Sequence, residues 1–332
     1  MADSPALAPL LDPDEPPAPA PVVSDAEIGA ARGYVEASRA DSTRRAYDGD
    51  WSRFSRWCQG RGAPALPAPP ALVAVYLSAL AASGKTPPTV GRALASIAHA
   101  HKRAGHTAPH RTAGGQVITE VIAGIRRSRH APPQRKAPAD AEFLLLLLRS
   151  IEGDGLLALR DRALLAFGMA LAARRSELVA LDFSDLEWGE QGVRVSIRRS
   201  KTDQTAEGAV VAVPEGRYVR PLAHLRAWLA AAAITEGPLF RPLWKGGQRV
   251  RDARLSDHAV ARILQARAEA AGLDPARYGG HSLRAGFVTA AARAGADIWK
   301  IQQVSRHRSM QVLSGYVRDA RLFDDHAGEP FL

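Results

Sequence analysis

Cysteine is nearly missing from this sequence: Cys58 is the only one in 332 residues. A lone thiol excludes a disulfide framework and any zinc site built from several cysteines, and it fits a reducing compartment. Cys58 itself reads as a small apolar core side chain. Long apolar runs are missing too. None reaches the roughly 18 residues needed to span a bilayer, so no membrane role is expected. The opening MADSPALAPLLDPDEPPAPAPVV lacks the basic stretch of a secretion signal and carries acids instead. A cytoplasmic protein is the expectation, nucleoid-associated if its partner is DNA. No carboxylate cluster has convincing metal-ligand spacing, and no cofactor is expected.

What the chain has is positive charge, with a formal net charge of +10. Its distribution is uneven. Residues 1–25 hold five acids and no base, residues 26–140 hold 17 bases against 7 acids, and the remainder holds 27 against 22. The excess is concentrated in the first folded region, and it points to a polyanionic partner.

Seven prolines in the first 25 residues predict an extended, disordered lead-in. Next, STRRAYDGDWSRFSRWCQGRG places Tyr47, Trp51, Phe54 and Cys58 on one helical face ended by Gly60. ALVAVYLSALAASG reads as another helix. TPPTVGRALASIAHAHKRAG carries a stripe of Val90, Leu94, Ile97 and His101, and QVITEVIAGIRRSRH follows. With a helix over 25–38, residues 26–130 read as a basic helical bundle. The stretch 131–140, with three prolines and two bases and no periodicity, reads as a linker. Residues 141–332 then give helices at about 140–151, 157–172, 219–234, 255–271, 281–294 and 297–304, and a short one in RRSELVAL. Between them VRVSI and AVVAV read as a hairpin around RRSKTDQTAEG. The fold class is mainly α, with one small antiparallel β-sheet in the second domain.

Four stretches offer groups suited to phosphate chemistry: AARRSEL with Arg174 and Glu177, RRSKTDQ with Lys201, GGHSLRAG with His281 and Arg284, and SRHRSMQVLSGYVR with His307 and Tyr316. Singly they carry little. Ten histidines and 38 arginines supply about one His-x-x-Arg by chance. Arg174 and Glu177 match a surface i, i+3 pair, Lys201 a solvated loop, and Tyr316 a core tyrosine with a wet hydroxyl. Together they have a chemical logic. Cleaving a phosphodiester needs a nucleophile, positive charge on the non-bridging oxygens and a proton for the leaving oxygen. Tyrosine can attack phosphorus, two arginines can fork onto the phosphate, histidine can donate or relay a proton, and a loop lysine can protonate the leaving group.

In this order and spacing the four stretches resemble the signature of the tyrosine recombinases, the phage-integrase-type site-specific DNA recombinases. ARRSEL resembles the family's first arginine box, with Arg174 in the arginine position and Glu177 in the acidic one. Lys201 falls on the β-hairpin lysine, HSLR on the His-x-x-Arg box, and His307 precedes Tyr316 by the family's nine residues. Two departures stand out. AARR replaces the usual Thr-Gly-Leu before the arginine, and VSRH replaces Leu-Gly-His, so that Arg306 sits where a small residue is common.

The likeness extends upstream, where STRRAYDGDWSRFSRWC and TPPTVGRALASIAHAHKRAG are similar to the family's helical core-binding domain. It implies a catalytic fold over 141–332, with about 318–332 making subunit contacts. It also implies cutting and rejoining of double-stranded DNA through a 3′-phosphotyrosyl link, by a tetramer on two paired sites, without metal or ATP. A directionality or accessory protein is a further partner it allows. Arg44, Arg45, Lys85 and Arg92 are the expected DNA contacts of the first domain. A catalytically inactive DNA-binding relative and a type IB topoisomerase are the competing readings.

Overall fold

A computed structural model describes residues 24–37, 41–129, 136–198, 208–322 and 324. The chain divides into two compact units, Met1–Pro132 and Pro133–Leu332. The first contains helices α1 (Asp25–Ala37), α2 (Asp41–Gln59), α3 (Pro70–Ala82), α4 (Pro87–Arg103) and α5 (Gln116–Ser128). The stripe in α2 becomes core: Phe54 and Cys58 are fully buried and pack with Val73, Leu77, Val90, Ile97 and Ile118. Proline opens α3 and α4, where its missing N–H costs the helix nothing.

Three polar side chains among the described residues lie inside this bundle, each with its partners, and the Ser96 hydroxyl donates to the Tyr47 carbonyl at 2.7 Å. Asp50 is buried and paired with Arg53 and Arg92, the latter at 2.7 Å. His101 donates from Nδ1 to the Ile97 carbonyl and accepts the Ala68 N–H at Nε2, both at 2.8 Å. Its second nitrogen must stay unprotonated to accept that bond, and burial lowers its pKa accordingly.

The second unit contains α6 (Ala141–Ser150), α7 (Leu156–Ala170), α8 (Arg175–Ala180), strands β1 (Leu186–Gly189), β2 (Gly192–Ile197) and β3 (Ala209–Pro214), then α9 (Pro221–Ala231), α10 (Asp257–Ala270), α11 (Ser282–Arg293), α12 (Ile298–Ser305) and α13 (Met310–Ala320). The strands form one antiparallel sheet in the order β1-β2-β3. Val193, Val195 and Ile197 of β2 and Val211 and Val213 of β3 turn inward onto a core containing Leu144, Leu164, Phe167, Leu225, Trp228 and Phe240. Trp228 spends its indole N–H on the Leu239 carbonyl at 2.8 Å, so the buried ring leaves no unmet donor. The fold is mainly helical with a small antiparallel sheet, as its sequence pattern predicts.

Two elements were absent from that reading. Strand β1 has only four residues, three of them exposed, so no alternating pattern marks it. Helix α13 carries the tyrosine of the signature. Ser314 and Gly315 interrupt its apolar positions, and the packing of Leu313 against Val288 and Ala292 of α11 and Ile301 of α12 supplies what local pattern lacks.

Two glycines permit the close approaches on which the site depends. A Cβ at Gly286 of α11 would fall 1.8 Å from the Ala139 carbonyl oxygen. One at Gly168 of α7 would fall 2.8 Å from a Leu178 methyl and 3.1 Å from a Leu283 methyl. The Leu178 side chain of α8 and the Leu283 side chain of α11 therefore pack directly on the α7 backbone at Gly168.

Candidate active site

Three chain segments converge in the second unit, and each is held by local structure. The first is the turn between α7 and α8. Ala172 takes a left-handed conformation at φ +47°, and Arg174 then caps α8. Glu177 reaches back to accept the Arg174 backbone N–H at 3.0 Å, which satisfies one of the donors that a helix start leaves open. The Arg174 guanidinium forms a close ion pair with the same carboxylate.

The second segment is the start of α11. Buried Ser282 accepts the Gly279 N–H at 3.0 Å, and its carbonyl accepts Ala139 N–H at 2.9 Å. That fixes the turn presenting His281, with Arg284 one turn along. Arg284 is buried, and its Nη1 donates to the Ala172 carbonyl at 2.8 Å. Its Nη2 is buried with no hydrogen-bond partner among the described residues.

The third segment links α12 to α13. Arg306 ends α12 in a left-handed conformation at φ +55°, which costs a non-glycine residue about 1–2 kcal/mol. His307 follows, its Nδ1 2.8 Å from the hydroxyl of fully buried Ser305. Ser309 then caps α13 by accepting Val312 N–H, and two turns on Tyr316 brings its ring to 6.2 Å from the His307 imidazole, centre to centre. Tyr316 also lines a cleft of about 630 Å³ shared with Lys136, Arg277, Thr289, Arg293 and Asp319.

Arg306 reaches back to the first of these segments. Its Nη2 donates to Glu177 at 2.8 Å, and its Nη1 to the carbonyls of Val304 at 2.7 Å and Leu171 at 3.3 Å. The bulky cation flagged in the sequence thus turns inward.

The electrostatics follow from this crowding of cations. Burial, then Arg284, Arg174 and Arg306, push His307 down to about 4, so the ring is neutral at pH 7. Desolvation and then Arg284, Arg175 and Arg174 lower His281. Burial and Arg174 lower Arg284 to about 9, so it keeps its charge at neutral pH. Burial raises Glu177, but the Arg174 backbone N–H, Arg306 and the Arg174 side chain outweigh it and hold the carboxyl below its ordinary range. One carboxylate therefore faces three arginines, leaving a pocket of net positive charge suited to an anion.

Six of the seven expected site residues meet here: Arg174, Glu177, His281, Arg284, His307 and Tyr316. Lys201 lies outside the described residues, as do most of residues 1–25 and 318–332 and half of residues 131–140, where other expectations fall. Among the expected DNA contacts, Arg45, Lys85 and Arg92 are exposed, and Arg92 is also paired with the buried Asp50. Sequence reasoning missed Ser305 and Ser282, which orient the two histidine turns. Each is a serine within two residues of a site histidine, the sole hint available. Among the described residues, no group of three or more His, Cys, Asp or Glu is placed to hold a metal ion, and no helix is long and apolar enough to cross a membrane.

The profile of the phage integrase family matches residues 141–321. An integrase/recombinase XerD homolog of Selenomonas ruminantium is 38% identical over 90% of this chain and 87% of its own. A tyrosine recombinase XerD of Bifidobacterium longum is 27% identical over 85% and 88% of the two chains. Among solved structures, a lambda integrase dimer bound to a COC′ core site (residues 75–356) aligns with a TM-score of 0.54 and 18% identity, over 88% of this chain and 92% of that one, a likeness of fold. The chain belongs to the phage integrase family, the tyrosine-type site-specific recombinases.

Proposed function

We propose that this protein cuts and rejoins double-stranded DNA through a 3′-phosphotyrosyl intermediate. In this scheme the Tyr316 hydroxyl oxygen attacks the scissile phosphorus, and the bond from phosphorus to the 5′-oxygen breaks. Lys201 protonates the departing 5′-oxygen. Arg174, Arg284 and His307 stabilise the charge that grows on the non-bridging oxygens, His281 assists as acid or base, and Glu177 orients its neighbours. A 5′-hydroxyl from a partner duplex reverses the step. The phosphoester energy is retained in the covalent link, so rejoining draws on no nucleotide, and each developing charge has a protein group to meet it.

The observation that carries this reading is the buried, unpartnered Nη2 of Arg284 beside Arg174, His307 and Tyr316. An unpaired donor on a buried cation costs free energy unless a ligand meets it, and a bidentate fork suits a phosphate. The neutral state of His307 fits the same role. The Ser305 hydroxyl can donate to Nδ1; in that tautomer the proton lies on Nε2, where the ring can donate to a phosphate oxygen, and the arriving anion raises its proton affinity.

DNA binding draws on the basic first unit, with Arg44, Arg45, Lys85 and Arg92 the proposed phosphate contacts, and should weaken steeply with salt. Exchange between two duplexes calls for several protomers, and a tetramer on paired sites is the proposed assembly. The reading is tested on duplexes nicked near the cleavage point, so that a cut strand escapes and the adduct accumulates. The parent should form a covalent adduct in EDTA and without ATP, and Tyr316→Phe should bind the same DNA and form none. Adduct formation by Tyr316→Phe would remove the tyrosine from the nucleophile's role. A two-site recombination assay beside a relaxation assay separates recombinase from topoisomerase behaviour.

A further inference from the structure

Ala172 and Arg306, both non-glycine residues in the left-handed region at φ +47° and +55°, sit in the two turns that flank the pocket. Each turn immediately precedes a phosphate-facing group: Arg174 follows Ala172 by two residues and His307 follows Arg306 by one. One side chain joins the turns. Arg306 donates to the Leu171 carbonyl on the first turn, to the Val304 carbonyl on its own, and to the Glu177 carboxylate that holds Arg174. Its side chain is 12% exposed, so it is enclosed among groups of its own sign.

We propose that Arg306 is a positioning residue, a clamp that ties the Leu171–Arg174 turn to the His307 turn through Glu177 and the Leu171 carbonyl and so fixes where Arg174 and His307 meet the phosphate. This rests on the assignment of those residues to the phosphate pocket.

The alternative tasks for a cation here fit less well. A direct phosphate contact needs donors facing the ligand, and the terminal nitrogens of Arg306 already serve three protein acceptors, its buried Nε alone having no partner among the described residues. A solvated replacement would point outward, relieving its repulsion from Arg174 and Arg284. A planar guanidinium can serve three acceptors on two segments at once, which a lysine ammonium on a flexible stem does less rigidly. Glu177 then restrains both Arg174 and Arg306, and the Ala172 carbonyl restrains Arg284, so the three arginines are fixed through one turn.

The test compares Arg306→Gly and Arg306→Lys with the parent as full chains. Glycine adopts φ +55° without strain, so Arg306→Gly is expected to fold, as thermal unfolding will show. The DNA probe is a nicked duplex carrying a site captured covalently by the parent from sheared DNA of the source organism. Single-turnover adduct formation at saturating DNA is expected to fall at least about tenfold in both variants, since misplacement by an ångström is costly, while DNA affinity changes by less than about threefold.

In DNA-free protein, the His307 imidazole followed by NMR is expected to titrate at higher pH in Arg306→Gly than in the parent, and to move less in Arg306→Lys, which keeps the charge. Parental adduct formation in Arg306→Gly overturns the proposal. So does an equal loss of binding and cleavage, which would make Arg306 a phosphate contact, or an unmoved His307 midpoint in Arg306→Gly. If Arg306→Gly fails to fold, the rate and affinity of Arg306→Lys decide by the same criteria. A parent that forms no adduct with any DNA defeats the Tyr316 assignment instead, and the Arg306 clamp is then judged on the DNA-free titration.

Discussion

Arg284 Nη1 donates to the Ala172 carbonyl, 2.8 Å away and 112 residues earlier in the chain. This bond turns one side of a buried guanidinium into a fixture and leaves the other side, Nη2, without a protein partner among the described residues. A lysine in its place keeps the charge but cannot hold Ala172 and a phosphate oxygen in the same planar geometry. Arg284→Lys should therefore bind DNA normally and form the covalent adduct about 10²–10³ times more slowly, measured by single-turnover cleavage.

Glu177 is the carboxylate between Arg174 and Arg306, with its side chain 1% exposed. Removing its charge while keeping its shape strands two enclosed cations. Glu177→Gln should lower the free energy of unfolding by about 3–5 kcal/mol, read from urea denaturation at pH 7.5. A loss below about 1 kcal/mol would place the pair in the class of solvated ion pairs.

Packing against the site is tested by two glycines. Gly286→Ala pushes a methyl into the Ala139 carbonyl, 1.8 Å from the ideal Cβ position, and should cost at least about 1–3 kcal/mol and slow cleavage as α11 shifts. Gly315→Ala, on α13 beside Tyr316, meets nothing within 4 Å and should stabilise the protein by about 0.5–1 kcal/mol through helix propensity. Both are read from denaturation midpoints.

The histidines make the DNA-free protein acid-sensitive. His101, His110, His224, His281 and His307 all have proton affinities below the ordinary value of 6.5. Below pH 6.5 the unfolded chain takes up protons that these folded sites refuse. Stability contributed by their neutral state is thus fully present above pH 6.5 and falls as pH drops toward about 4, where His307 protonates in the fold. Urea midpoints should be level from pH 7 to 8 and decline from pH 6.5 to 4.5. His307→Asn should flatten part of that decline.

Much of the architecture was legible because it depends on short-range pattern. The face formed by Phe54 and Cys58, the stripe of Val90 and Ile97, and the alternation of Val193, Val195 and Ile197 each declare an element within a few residues. Helix α13 was not legible, since its burial depends on Val288 and Ile301 rather than on its own sequence. The site was legible as a set of residue types in order, but its wiring was not. Nothing local says that Arg306 turns inward, because the carboxylate it meets lies 129 residues away. That Arg92 pairs with Asp50 was hidden for the same reason, the two being 42 residues apart.

The most direct test of the account is the identity of the residue joined to DNA. The adduct trapped on a nicked duplex is digested with nuclease and protease, and the modified peptide is sequenced by mass spectrometry. One modified peptide from α13 is expected, with the nucleotide attached to the Tyr316 oxygen through its 3′-phosphate. A nucleotide on any other side chain, or one linked through its 5′-phosphate, would contradict it.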